Sequence, residues 1–196
     1  MSNFKLQTMK TIKLLAVLFI SSLAFVSCSN DDDHGHDHED HEEEITKLEY
    51  TLTNAADATD VVTLTFTDED GEGGEDGVPN VSGALTAGAT YSGSISLINL
   101  EEMEDVGAEI AAEDAEDHEI FYITNVAGTT FTTTDTDANG NPLGFNTTVV
   151  AGAAGTGNLT ISVIHKGKKP NDGTIADATS TGGTSDIDVS FSIEVQ

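Results

Sequence analysis

Ile187-Asp188-Val189-Ser190-Phe191-Ser192-Ile193-Glu194-Val195 closes the chain, with apolar residues at every odd position and polar ones at every even position. A period of two puts one side of a β-strand into a core and the other into water. Nothing helical fits this alternation, because a helical face repeats every three or four residues. Working outward, the same pattern returns at Leu159-Ile161-Val163, Tyr91-Gly93-Ile95-Leu97, Val62-Leu64-Phe66 and Leu48-Tyr50-Leu52. Thr and Val are abundant in these runs, as strands prefer. Shorter candidates lie at 81–86, 119–124, 129–134 and 146–150. Breaks rich in Gly, Asn and Asp separate the runs. About eight strands so spaced predict a mainly β domain over residues 45–196, an antiparallel β-sandwich rather than an α/β fold.

One segment departs from the period of two. From Glu101 to Glu119, Met103, Val106 and Ile110 recur at helical spacing with Ala111, Ala112 and Ala115. This predicts one acidic helix crossing between two strands, weakened at Gly107 by about 1 kcal/mol.

Two loops and two histidines in the domain invite chemical readings. Asp68-Glu69-Asp70-Gly71-Glu72-Gly73-Gly74-Glu75-Asp76 is a flexible acidic loop. Asp135-Thr136-Asp137-Ala138-Asn139-Gly140 opens like a calcium loop, with Asp135, Asp137 and Asn139 at the ligand spacing. The twelfth position is Asn146 rather than Glu, and Asn-Gly between strand-like runs also makes a β-turn. Both readings stand at this point. His118 falls at the exit of the expected helix and His165 at the end of a strand. A further metal site from His118, Glu119 and His165 requires their strands to be neighbours; otherwise they are ordinary structural residues. No nucleophile elbow, phosphate-cradling loop or HExxH motif occurs, which points to a binding or structural protein and not an enzyme.

Before the domain the composition changes abruptly. Residues 30–44 read Asn-Asp-Asp-Asp-His-Gly-His-Asp-His-Glu-Asp-His-Glu-Glu-Glu without one apolar side chain. Such a segment has too little surface to bury to offset the entropy of ordering, and it reads as a disordered tether. His34, His36, His38 and His41 lie within eight residues of one another. Imidazole is a common ligand for zinc, copper and nickel, and short His-rich tracts are a metal-binding composition. Carboxylates between the rings offset the charge of a dication. Zinc is the first candidate, and affinity is expected to be modest because no pocket is preformed. The alternative is a hydrophilic spacer.

Residues 1–27 carry Lys5, Lys10 and Lys13, then an apolar run of 13 residues, Leu14–Val26, interrupted only by Ser21 and Ser22. A helix crossing a bilayer needs roughly 20 residues, so this is an export signal and not a permanent span. Met9-Lys10 offers a second start. The run ends Ala24-Phe25-Val26-Ser27-Cys28, which resembles the lipobox of bacterial lipoproteins, with Phe25 where that family usually has Leu. The resemblance implies cleavage before Cys28 and acylation of its thiol, with residues 28–44 as the lipidated tether. Two or more acyl chains give a stable anchor. Cys28 is the only cysteine, so no internal disulfide forms. Asp31-Asp32-Asp33 resembles the export signal of surface-exposed gram-negative lipoproteins, which implies the outer membrane and its outer face, or else the periplasmic leaflet.

Cleavage would leave 169 residues, with four lysines and no arginine against 35 acids, a formal charge of −31. That field makes nucleic acid and anionic membrane surfaces poor partners and favours cations and basic surfaces.

Four further stretches are similar to a family of small gram-negative lipoproteins labelled "type 1 periplasmic binding fold superfamily protein": Ala87-Gly88-Ala89-Thr90-Tyr91-Ser92-Gly93-Ser94-Ile95, His118-Glu119-Ile120-Phe121-Tyr122, Asp137-Ala138-Asn139-Gly140-Asn141-Pro142-Leu143-Gly144 and Thr184-Ser185-Asp186-Ile187-Asp188-Val189. The label implies a large α/β ligand-binding fold, whereas the length and strand content of this chain imply the sandwich. The family brings no activity. The expectation is a lipoprotein that buffers transition-metal ions at the cell envelope, with an outer-membrane transporter as partner. The alternative is an adhesion or structural sandwich, with calcium-dependent ligand binding at 135–140.

Overall fold

The computed structural model describes residues 43–71 and 74–196. Among these residues the alternation becomes nine strands in two antiparallel sheets, a mainly β architecture consistent with a β-sandwich. Six strands form the first sheet in the order β3-β2-β1-β4-β7-β6: β1 Lys47–Asn54, β2 Val61–Thr67, β3 Val78–Val81, β4 Thr90–Ile98, β6 Thr130–Thr133 and β7 Asn146–Val150. The second sheet is β5-β8-β9, from His118–Thr124, Gly155–His165 and Thr184–Val195.

Each long strand buries alternate side chains. Leu48, Tyr50 and Leu52 of β1 meet Leu159, Ile161 and Val163 of β8 and Val189, Phe191, Ile193 and Val195 of β9 in one continuous core. Fully burying an aliphatic or aromatic side chain stabilises by about 1.5–3 kcal/mol, so this interlayer holds the sheets together. Tyr50 is wholly buried and bonds the Thr147 hydroxyl at 2.6 Å. Its ring lies 5.0 Å from that of Tyr122 on the other sheet. Gly93, beside it on β4, has no alternative: a Cβ there would strike the Tyr50 and Thr147 hydroxyls.

Three expectations need correction in detail. The 81–86 candidate is not a strand. Val78–Val81 pairs with β2 instead, where Pro79 suits an edge. Beyond Gly83 the chain crosses to the other sheet, where Leu85 makes an isolated parallel bridge to Val195. The helix is also shorter than 101–119. α1 spans Val106–Glu113. Asp105 caps it, its carboxylate accepting from Ala108 N–H at 3.0 Å. Upstream, Asn99 and Glu104 exchange backbone hydrogen bonds, and Met103 sits at φ 57 with its side chain exposed. Met103 therefore belongs to a turn, outside the apolar helical face. Gly107 has a packing reason, since a Cβ would lie 3.1 Å from Phe145 and 3.4 Å from the Leu97 backbone.

The third correction adds an element. A short helix α2, Ile175–Ala178, follows β8 and sets Ala178 and Ile175 against Phe121 and Ile164 on the outer side of the second sheet.

Candidate metal centre

β5 and β8 are neighbours, and their register sets His118 directly opposite His165. Both positions keep the inward parity of Ile120 and Val163. The rings stack with centroids 4.6 Å apart and planes within 2°. His118 is 1 % exposed and His165 9 %.

The third member comes from a register fault. On β9, Ile187 pairs with Val163 while Ser185 pairs with Ile164, so Asp186 is one residue too many for the ladder. By simple alternation Asp186 shares the outward parity of Asp188 and Ser190. A β-bulge re-aims the inserted side chain, and here it delivers a carboxylate to the two imidazoles. The Asp186 side chain is fully buried. Its Oδ2 lies 3.4 Å from His118 Nε2, and its Oδ1 lies 3.8 Å from His165 Nδ1. One ligand atom from each of the three residues falls within 4.8 Å of the others.

Hydrogen-bond chemistry constrains the protons. His118 Nδ1 lies 3.0 Å from the Asp114 carbonyl oxygen, which can only accept, so Nδ1 carries a proton and donates. Nε2 then presents a lone pair to Asp186, or becomes protonated as imidazolium. The Nε2–Oδ2 approach is close enough for an ion pair but too long for a well-formed hydrogen bond, and both atoms are buried without another partner. Buried polar atoms are rarely left so. Burial alone would drive the imidazole toward neutrality. Asp186, the Asp114 carbonyl and Glu43 outweigh it and hold the His118 pKa above the ordinary histidine value.

The approach to this cluster is acidic. Glu43, Glu44, Asp68 and Asp186 line one open cleft between the start of β1 and the start of β9. Glu43 N–H donates to Asp186 Oδ1 at 3.3 Å. Asp68 Oδ1 is a further buried oxygen without a hydrogen-bond partner.

The other residues singled out in the sequence fall elsewhere. Glu119 follows His118 and therefore points to the opposite side of β5, where it accepts from the Asn171 amide at 2.6 Å. The His118, Glu119, His165 set is thus corrected: Asp186 stands where Glu119 was expected. Burial pushes the Glu119 carboxyl pKa up, against the Asn171 bond and the Lys169 charge. Asp137 accepts from the backbone N–H of Asn139 and Asn141 at 2.9 and 2.8 Å, from the Asn141 amide at 3.2 Å and from Lys169 Nζ at 3.2 Å. Lys169 also donates to the Ala115 carbonyl at 2.8 Å. Asp135 accepts from Gly144 N–H at 3.0 Å. Gly140, at φ 84, donates its N–H to the Asp137 carbonyl, closing a turn. Asp135 and Asp137 are thus engaged by hydrogen bonds within the turn and its flanks, and Lys169 pairs with Asp137. Cys28, His34, His36, His38 and His41 lie outside the described residues.

Asp186 is the residue the sequence reading missed. Its only signal was position: it is the residue just before the alternating run, in the Thr-Ser-Asp-Ile-Asp-Val stretch. Comparison of the chain with protein-family models, with curated proteins and with solved structures finds no match.

Proposed function

We propose that this is an envelope lipoprotein that captures divalent transition-metal ions, zinc first, and holds one at His118, His165 and Asp186. The observation that carries the reading is the facing pair of buried, hydrogen-bond-deficient ligand atoms, His118 Nε2 and Asp186 Oδ2, 3.4 Å apart. A zinc ion about 2.0–2.1 Å from each ligand in a tetrahedral shell keeps neighbouring ligand atoms about 3.3 Å apart. The His118–Asp186 pair, at 3.4 Å, has about that spacing, and His165 Nδ1 lies 3.8 Å from the other Asp186 oxygen. His118 also has the outer contact that metal-bound histidines use, with its second nitrogen donating to a backbone carbonyl. Two imidazoles and one carboxylate suit zinc, copper or nickel better than calcium or magnesium.

In this reading Cys28 anchors the chain and the histidines of the tether, His34, His36, His38 and His41, collect ions loosely. The acidic surface concentrates cations, and the buried cluster retains one. An outer-membrane transporter is the natural recipient. The chain works as a binding protein and not as an enzyme.

The test uses the full chain with His34, His36, His38 and His41 replaced by Gln, so that only the domain can respond. Calorimetric titration with zinc is expected to give one site per chain, lost on His165→Gln. Absence of uptake in the tether-substituted chain, or uptake indifferent to His165→Gln, overturns the assignment.

A further inference from the structure

The preformed cluster supplies three ligand atoms, whereas a closed structural zinc site has four. Two neutral imidazoles and one carboxylate also leave a bound dication with a net charge of +1 in a buried setting, which low polarity penalises. A second carboxylate would complete both the shell and the charge balance.

Glu43 is placed to provide it. Its backbone is already at the site, since its N–H donates to Asp186 Oδ1 at 3.3 Å. It lines the same cleft as Asp186. The charges that act most on its carboxyl are those of His118, Asp186, Asp114 and His165, three of them the cluster itself. Asp114 contributes its backbone carbonyl, which accepts from His118 Nδ1. Glu44 is turned toward Gly71, where a Cβ would lie 2.8 Å from its Oε1.

Glu43 is also the right kind of group to move. It precedes β1, and no strand pairing is formed by residues 43–45. The first firm attachments come at Ile45, buried in the core, and Thr46, whose N–H donates to Ile98 O at 3.1 Å and whose carbonyl accepts from Asp68 N–H at 2.8 Å. Rotation about the side-chain bonds of Glu43 can bring an oxygen to the cluster while its backbone keeps its bond to Asp186.

Resting on the metal reading above, we infer that Glu43 is the fourth ligand, a carboxylate clasp that closes over the ion and fixes the segment leading into β1. Metal occupancy then stiffens the junction through which the N-terminal segment joins the domain.

The experiment uses the full chain with the four tether histidines replaced by Gln, titrated with cobalt(II) and zinc, alone and with Glu43→Gln. Cobalt reports coordination through its visible absorption, and hydrogen exchange reports the backbone. The clasp predicts intense tetrahedral cobalt bands in the parent and weaker, altered bands in E43Q, with affinity down about tenfold or more. It also predicts that zinc slows exchange at residues 44–46 in the parent and not in E43Q, while amides near His118, His165 and Asp186 slow in both. Unchanged bands and affinity in E43Q overturn the clasp and leave the three-residue site standing. Weaker affinity with protection at 44–46 retained also overturns it, since charge alone would then account for the effect. Failure of the parent to bind either metal removes the site and the clasp together.

Discussion

Two buried ionic clusters sit on opposite sides of the start of β5, one built on His118 and the other beside Glu119. They differ in how well their polar atoms are satisfied. On the outer side Lys169 meets Asp137 at 3.2 Å, and Asp137 takes three further hydrogen bonds from Asn139 and Asn141. Glu119 is held by Asn171. On the inner side His118 Nε2 and Asp186 Oδ2 face each other without a hydrogen bond. Satisfied buried networks rigidify a fold, while partly satisfied ones cost stability and mark functional places. The contrast separates a structural ion cluster from a candidate binding cluster within one strand.

The largest expected effect tests the structural side. Lys169→Met leaves Asp137 buried beside Glu119 without its cation and should destabilise by about 3 kcal/mol, the low end for breaking a buried pair. Chemical denaturation measures it. On the other side, Asp186→Asn in metal-free buffer above the raised His118 pKa should cost about 1 kcal/mol or less, because the imidazole is then neutral and only the weak hydrogen bond from Glu43 N–H depends on the carboxylate. The same variant should lose zinc binding. If D186N destabilised the metal-free domain more than K169M, the assignment of roles would be reversed.

The two sides should also respond oppositely to pH. Burial opposes ionisation of Asp137, but Asn141 and Lys169 outweigh it and hold its pKa below the ordinary aspartate value. Its contribution is present above about pH 3.8 and is lost as pH falls through the depressed folded value. His118 has a raised folded pKa despite burial. Its contribution is complete below about pH 6.5 and is lost as pH rises through the raised value. Melting temperatures of metal-free protein across pH 2–9 should show the acid loss shrink in D137N, with Asp57, Asp60 and Asp177 supplying the remainder, and the neutral-side loss shrink in H118Q. The smallest effect is a control. Ser162 Oγ is likewise buried without a partner, but on the other face of β8, where Asp188 is its cross-strand neighbour. Ser162→Ala should change stability by no more than about 0.5 kcal/mol and leave zinc affinity untouched.

Most of the fold was legible because its signal is local. A strand with one buried side writes its period into the sequence, as Ile187 to Val195 does. Met103 misled the helix boundary because spacing alone cannot see that Asn99 and Glu104 close a turn first. Val78–Val81 was missed because Pro79 and polar neighbours hide an edge strand. For the site, His118 and His165 could be named as candidates from residue type, but their meeting depends on the β5–β8 register, a long-range property. Glu119 was a reasonable third choice by proximity in sequence, and the pleat turned it away. Asp186 broke the period-two rule, and the break is the bulge itself.

That bulge makes the cluster editable by length instead of by residue type. Omitting Ser185 would restore an unbroken ladder and swing the Asp186 carboxylate to the far side of β9, with every core side chain of the strand left in place. A natural or engineered variant one codon shorter at this spot would keep the sandwich and forfeit the proposed ion site. Gaps at position 185 among related chains would therefore sort binders from non-binders even where both histidines persist.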